Sequence, residues 1–243
     1  MKLNNNFQEI LKEEAEKRGF ILNLEKLEKF ENYKKLLVEW NEKMNLTAIT
    51  EDYEVIIKHF IDCLECSNLI NEKDCNIVDV GTGAGFPGMV LAIYYSDKQF
   101  TLIDSLNKRI IFLEEVIKVL KIKNVKVIHA RAEEQANKYE SREQFDVVVS
   151  RAVANLPVLV EYISGYIKVN GKCLVMKGDN IAEELKMSSN AFKILNLKAG
   201  NTYKYVYIVN NEEYNRTILE VFKMGKTPEK YPRNFGLIKK KPL

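Results

Sequence analysis

The chain predicts an α/β protein built on one mostly parallel sheet that finishes in antiparallel strands. Three observations carry this expectation. From residue 76 onward, apolar runs of strand length (77–80, 99–104, 125–130, 145–150 and 171–177) alternate with helical segments, the pattern of a parallel sheet covered on both faces. The first run leads directly into Gly81-Thr82-Gly83-Ala84-Gly85-Phe86-Pro87-Gly88, a strand, a glycine-rich turn and the start of a helix. Beyond residue 189 the long helices cease, and extended segments follow one another through turn residues.

Residues 1–75 predict a helical N-terminal extension, and residues 76–243 the sheet-containing domain with its tail. Residues 7–18 read as a short amphipathic helix that Gly19 ends. Asn23 is placed to cap a second helix, in which Leu24, Leu27, Phe30, Leu37, Trp40 and Met44 recur at helical spacing until Asn45-Leu46-Thr47 stops it. Thr50-Glu51-Asp52 opens a third helix, with acids where the helix dipole favours them. Within the domain, helices are expected near 88–95, 106–121, 132–139, 157–167 and 181–189. The second of these carries Leu106, Ile110, Leu113, Ile117 and Leu120 on one face. Residues 192–197, 203–209 and 217–222 read as extended, the last two joined as a hairpin through 210–215.

At 243 residues, with 46% hydrophobic and 29% charged residues, the chain has the makeup of a globular protein. No apolar run approaches the ~18 residues that a membrane helix needs, and Met1-Lys2-Leu3-Asn4-Asn5-Asn6 is no apolar leader. A cytoplasmic protein without a membrane partner is expected, and a monomer. Cys63 and Cys66 form a C-x-x-C inside a helical stretch, and no second pair stands at metal-binding spacing. Together with Cys75 and Cys173 they read as reduced, structural thiols, and no metal is expected. The net charge of +3 hides an asymmetry: Lys223, Lys226, Lys230, Arg233, Lys239, Lys240 and Lys241 crowd the last stretch against Glu229 alone. Beside an active-site mouth, such a tail would attract a polyanion.

The glycine turn marks a nucleotide-like cofactor, because alternate glycines let a ligand lie directly on the main chain. Pro87 suits the first helical turn, where its missing N–H would have no partner. Gly83-Ala84-Gly85-Phe86-Pro87-Gly88 matches G-x-G-x-x-G, so a dinucleotide enzyme must be weighed. Asp104, at the end of the second strand, can accept hydrogen bonds from two ribose hydroxyls, as either NAD or S-adenosylmethionine requires. Asp79 discriminates: an acid ending the first strand attracts a cationic amino-acid portion and repels a pyrophosphate, which needs positive helix-end potential. The chain also lacks a second mononucleotide-binding half. Its antiparallel sheet end resembles the seven-stranded sheet of class I (Rossmann-like) methyltransferases, so S-adenosyl-L-methionine is the expected cofactor. Ala132 and Glu133, just past the third strand, are positioned for the adenine. Ser150-Arg151-Ala152 ends the fourth strand at the same crevice.

The acceptor atom is narrowed by absence. An Asn/Asp-Pro-Pro-aromatic loop for an exocyclic amine does not occur; its place holds Ala154-Asn155-Leu156-Pro157. Carbon-5 of a pyrimidine needs a nucleophilic cysteine, and none of the four is well placed. Guanine N7 presents a free in-plane lone pair, so no general base is expected. Helical RNA buries N7 in a groove that side chains cannot read, which points to an unpaired guanine.

Several further motifs bear on the family: Trp40-Asn41-x-x-Met44-Asn45-Leu46-Thr47, His59-Phe60-x-Asp62, the run Asp79 to Gly88, Ser150-Arg151-Ala152, Tyr231-Pro232-Arg233-x-x-Gly236, and the ending Lys240-x-Pro242-Leu243. Together they resemble, almost from end to end, the bacterial RsmG family (formerly glucose-inhibited division protein B). That resemblance implies an S-adenosylmethionine-dependent enzyme modifying N7 of guanine 527 in 16S rRNA, in a loop near the decoding site. Its substrate would be the RNA or a small-subunit particle. Carried over by motif, the cofactor positions fall on Gly81, Phe86, Ala132, Glu133 and Arg151, which join Gly83 and Asp104 from the reading above. Leu237-Ile238 depart from the family's tail, where a Thr-Pro-like pair is expected. Arg151, Lys177 and Arg233 are candidates to clamp RNA phosphate or orient the guanine. His59 and Asp62, on the helix preceding the domain, are placed to reach the mouth of the site. Two rival readings remain beside this one: an NAD-dependent oxidoreductase, and a non-catalytic RNA-binding module on a methyltransferase fold.

Overall fold

The computed structural model describes residues 7–178 and 181–243; the N-terminal run Met1 to Asn6 lies outside them. Continuous Val/Ile/Leu runs form β1 (Asn76–Val80), β2 (Gln99–Asp104), β3 (Val125–His129), β4 (Phe145–Arg151) and β5 (Ile167–Lys177), all parallel. β6 (Leu197–Val209) and β7 (Glu212–Lys223) close the sheet as an antiparallel pair, giving the order β3-β2-β1-β4-β5-β7-β6. Because β1 lies between β2 and β4, the chain reverses its direction of travel across the sheet there. That reversal opens a crevice beyond the carboxyl ends of the strands, where Gly81, Asp104, Ala130 and Arg151 all emerge.

One face of the sheet is covered by α1 (Phe7–Glu16), α2 (Leu24–Met44), α5 (Gly88–Tyr94), α6 (Asn107–Val119) and a helical run through 52–69. In that run α3 (Asp52–Val55) widens into a π-helical stretch (Ile56–Ile61), then tightens through α4 (Asp62–Leu64) into a 3-10 turn (Glu65–Leu69). Leu11, Phe30, Tyr33, Leu37 and Phe60 share one core with Phe86 of the glycine turn, Met89 of α5 and Phe112 of α6. Each such side chain contributes about 1.5–3 kcal/mol on burial. Asn23 caps α2 by accepting from Lys26 N at 2.9 Å, and Asn45 ends it in the left-handed region at φ 50°. The Tyr33 hydroxyl donates to Ala84 O, fastening α2 to the glycine turn. The other face carries α7 (Ala132–Gln135), α8 (Leu156–Ser164), α9 (Ile181–Met187), α10 (Ser189–Ile194) and α11 (Phe235–Lys240). No described helix is long and apolar enough to cross a membrane.

Several expectations need correction. Residues 192–194 are helical and not extended: α10 continues to Ile194, because Ala191 and Phe192, with Leu195 just beyond it, point into the core beneath α8, and β6 begins at Leu197, earlier than the expected 203. The helix expected to reach residue 167 stops at Ser164, and Ile167 already pairs with Phe145 in β5. α7 ends at Gln135, well short of 139. The hairpin is tighter than 210–215, since Asn210 and Asn211 alone turn it, at φ 54° and 63°. Leu24 and Leu106 lie at helix starts and are exposed rather than buried; Tyr33, Phe112 and Val116 fill the core on α2 and α6.

Candidate active site

The crevice holds a cleft of about 500 Å³. Its floor is Gly81, Asp104 and Ser105; Ala130 to Glu133 form one side, Ala152 to Asn155 another, and Tyr162 of α8 stands across from them. Gly81 leaves β1 at φ +73°, and a Cβ there would lie 2.5 Å from a Val153 methyl. The backbone is therefore bare where the cleft begins, and no larger residue fits without moving the opposite wall.

Asp79 is fully buried under this turn. Its Oδ2 accepts from Thr82 Oγ1 and Gly88 N, both at 2.7 Å, while Oδ1 has no partner among the described residues. Burial pushes its carboxyl up to about 7, against the pull of those two donors. A buried carboxylate oxygen without a donor fits a cationic ligand group and leaves a polar debt until one arrives. Asp104 is also buried, and its carboxylate is engaged: Oδ2 accepts from Gly83 N at 2.9 Å and Arg109 Nη1 at 3.1 Å, and Oδ1 from Leu106 N at 2.9 Å. It shapes the glycine turn as well as lining the cleft.

Of the residues singled out from sequence, Gly81, Asp104, Ala132 and Glu133 line this cleft together. Gly83 does not; its N–H instead ties the turn to Asp104. Phe86 does not line it either. Its ring is buried against His59 at 4.4 Å between centroids, with the Arg151 guanidinium 5.0 Å above it and Tyr33 5.7 Å away. Phe86 thus supports the site from beneath.

Arg151 opens onto a second cavity of about 390 Å³, lined also by Lys58, His59, Asp62, Lys177 and Arg216. The two cavities meet at Ala152, which borders both and sits in the left-handed region at φ 56°. Arg151 is fixed from the N-terminal helices: Nη1 donates to Asp62 Oδ2 at 3.0 Å and to Lys58 O at 3.1 Å, and Nη2 lies 3.3 Å from His59 Nδ1. The π-helical widening at Ile56–Ile61 holds the Lys58 carbonyl and the His59 ring at this junction. Burial and the Arg151 charge push the His59 imidazole down to about 3, so the ring is neutral. Its Nε2 is 2.9 Å from Thr47 Oγ1. The second cavity is thus lined by four cations, of which Lys58 pairs with Glu54 at 2.6 Å, Lys177 with Glu184 at 2.8 Å, and Arg151 and Arg216 share Asp62, which leaves a positive balance on the arginine side.

Lys177 and Arg233 are not presented as free phosphate clamps. Lys177 Nζ donates to Ala154 O at 2.6 Å and to Glu184 Oε2 at 2.8 Å, and Glu184 Oε2 also accepts from Leu156 N at 2.6 Å. This lysine fixes the loop between the cavities. Arg233 grips buried Glu161 of α8 with two prongs, at 2.8 and 2.7 Å. The tail it anchors lies on the first cleft, where Phe235 and Lys239 form part of the wall. Sequence reasoning missed those two residues, Tyr162 and Arg109. Phe235 falls at an unspecified position of the tail motif, and Tyr162 looks like any core aromatic of an apolar helix.

Comparison with known proteins agrees with this geometry. Residues 26–209 match the family profile described as rRNA small subunit methyltransferase G. The chain is 48% identical over 238 residues to the ribosomal RNA small subunit methyltransferase G of Clostridium perfringens, covering 97% of this chain and 98% of the relative. It is 44% identical to the protein of that name from Fusobacterium nucleatum, covering 97% and 100%. Among solved structures, M. jannaschii TYW2 in complex with AdoMet superposes with a TM-score of 0.51 at 19% identity, over 68% of this chain and 75% of that one. The precorrin-6y C5,15-methyltransferase of Geobacter metallireducens gives 0.51 at 13% identity, over 67% and 87%. These likenesses establish the Rossmann-like methyltransferase fold, and the full-length sequence matches establish more: the chain belongs to the rRNA small subunit methyltransferase G family.

Proposed function

We propose that the protein transfers the methyl group of S-adenosylmethionine to N7 of a guanine in 16S rRNA, the decoding-region guanine 527, within a small-subunit particle or its RNA. The observation that carries this reading is the pair of cavities meeting at Ala152, one floored by the glycine turn and the other cationic. Family membership supports S-adenosylmethionine as the donor, and it leaves no support for an oxidoreductase.

S-adenosylmethionine supplies a methyl carbon on a cationic sulfur. Asp79 would hold the ammonium of its amino-acid end, the polar partner that Oδ1 lacks. Asp104 would take the ribose hydroxyls, and Ala132 and Glu133 the adenine. Gly81 gives the main chain its close approach. Phe86 and Arg151, stacked together, form the support on the acceptor side.

The N7 lone pair forms the new N–C bond as the C–S electrons return to sulfur, so no proton has to leave first. The second cavity suits such a reaction. Its imidazole is neutral and engaged, and its carboxylate is paired with Arg151. Positioning supplies the acceleration, for which effective molarities of well-aligned groups are worth ~7–11 kcal/mol. The cationic lining of Lys58, Arg151 and Arg216 favours the phosphate-bearing nucleotide over a free neutral base. Mass mapping of the RNA after incubation of the protein and donor with unmethylated small-subunit particles tests the proposal. The expected product is a single N7-methylguanosine; a methyl group on another base or atom overturns it.

A further inference from the structure

The tail was expected to face RNA, yet it is built into the donor side of the molecule. α11 places Phe235 and Lys239, one helical turn apart, on the wall of the first cleft, beside Ala132 and Glu133. The Phe235 ring lies 4.7 Å from the Arg131 guanidinium, at the mouth of the β3–α7 loop. It is 41% exposed, a large aromatic face left open inside a cavity and not on a convex surface. Beneath it, Ile238 is completely buried in the core under α8.

A six-residue helix has no stability of its own, so its order must come from its anchors. Arg233 holds Glu161 through its side chain and its backbone N–H, the latter at 3.0 Å, and also donates to Lys241 O at 2.9 Å beyond the helix end. The Asn137 amide donates to Glu133 O at 3.1 Å and to Pro232 O at 3.2 Å, linking the tail directly to the adjoining segment after β3. Arg142 adds bonds to Thr227 O and Tyr231 O, both at 3.0 Å. These bonds set the tail's position relative to the loop that would carry the adenine.

We propose that α11 is a fixed wall of the donor site, with Phe235 lying against the purine of S-adenosylmethionine and the Arg233–Glu161 pair positioning the helix that carries it. An aromatic face beside a heteroaromatic ring adds affinity through offset or edge contacts without needing a hydrogen-bond match. The contact belongs to the nucleoside end, because Phe235 groups with Arg131, Ala132 and Glu133 while Asp79 lies under the glycine turn.

The test is calorimetric titration of the whole protein with S-adenosylhomocysteine and, separately, with 5′-methylthioadenosine, which lacks the amino-acid end. Phe235→Ala is expected to weaken both by a similar factor, about three- to tenfold, and Phe235→Tyr to restore them. Phe235 is half-exposed, so neither variant disturbs the core. A change of less than threefold in Phe235→Ala overturns the proposal, as does a loss confined to S-adenosylhomocysteine or one that tyrosine does not repair. No RNA enters the titration, so the result stands apart from which nucleotide is methylated.

Discussion

Arg151 at the end of β4 and Asp62 on α4 form an ion pair at 3.0 Å that joins the sheet to the N-terminal helices, with the Asp62 side chain only 2% exposed. The arginine that lines the second cavity is thus oriented by a segment outside the sheet's own strands and turns. Removing one partner of a buried pair strands the other and costs about 3–5 kcal/mol. Asp62→Ala is expected to lose stability on that scale in urea denaturation and to abolish methylation. Stability within about 1 kcal/mol of wild type would show that Arg151 finds another partner.

Asp79 gives a pH signature. Its carboxyl is held up at about 7 in the folded protein, against an ordinary value of 3.8. The folded state therefore keeps a proton that the unfolded chain releases, and stability falls as pH rises from about 4 through 7. Asp79→Asn keeps an acceptor for Thr82 and Gly88 and removes the buried charge. It is expected to be more stable than wild type at pH 8, on the order of 2–4 kcal/mol, while binding donor at least tenfold more weakly. Equal stability at pH 8 would contradict the account.

His59 titrates in the opposite sense. Its imidazole is pushed down to about 3 from an ordinary 6.5, so the unfolded chain takes up a proton that the folded protein refuses. Its contribution is intact above pH 6.5 and is lost as pH falls toward 3. By pH 5 this amounts to roughly 2 kcal/mol. Thermal melts of His59→Gln should lack that acid-side decline, and an unchanged slope between pH 6.5 and 5 would refute it.

Asp104 and Arg109 separate binding from architecture. Asp104→Ala removes the acceptor for Gly83 N and Leu106 N along with the proposed ribose contact. It should weaken donor binding by about 1–2 kcal/mol and lower stability by a similar amount. Arg109→Ala deletes only an ion pair at the cleft edge and should leave the donor dissociation constant within about threefold. Calorimetry and denaturation of both variants decide the matter; an unaltered constant in Asp104→Ala would remove that residue from the site.

Much of the sheet and the glycine turn was legible because local pattern and final environment coincide there: Ile77, Val78 and Val80 are buried on both faces, as an uninterrupted apolar run requires. What the sequence left undecided has a common physical origin. Phe192 favours either an extended or a helical backbone, and only its contact beneath α8 decides. Arg233 reads as a nucleic-acid residue in a basic tail until its partner Glu161, far away in sequence, is seen to be buried. Phe86 belongs to the glycine-turn motif, yet stacking against His59 and Arg151 places it below the cleft and not in it.

Where the two cavities adjoin, at Ala152, the side chain is a single methyl group. In the proposed reaction, donor carbon and acceptor nitrogen come within bonding reach at that point. Any longer side chain would occupy the path itself, whereas changes elsewhere in either chamber merely alter its fit. The least reactive residue in the neighbourhood therefore sets the narrowest evolutionary latitude.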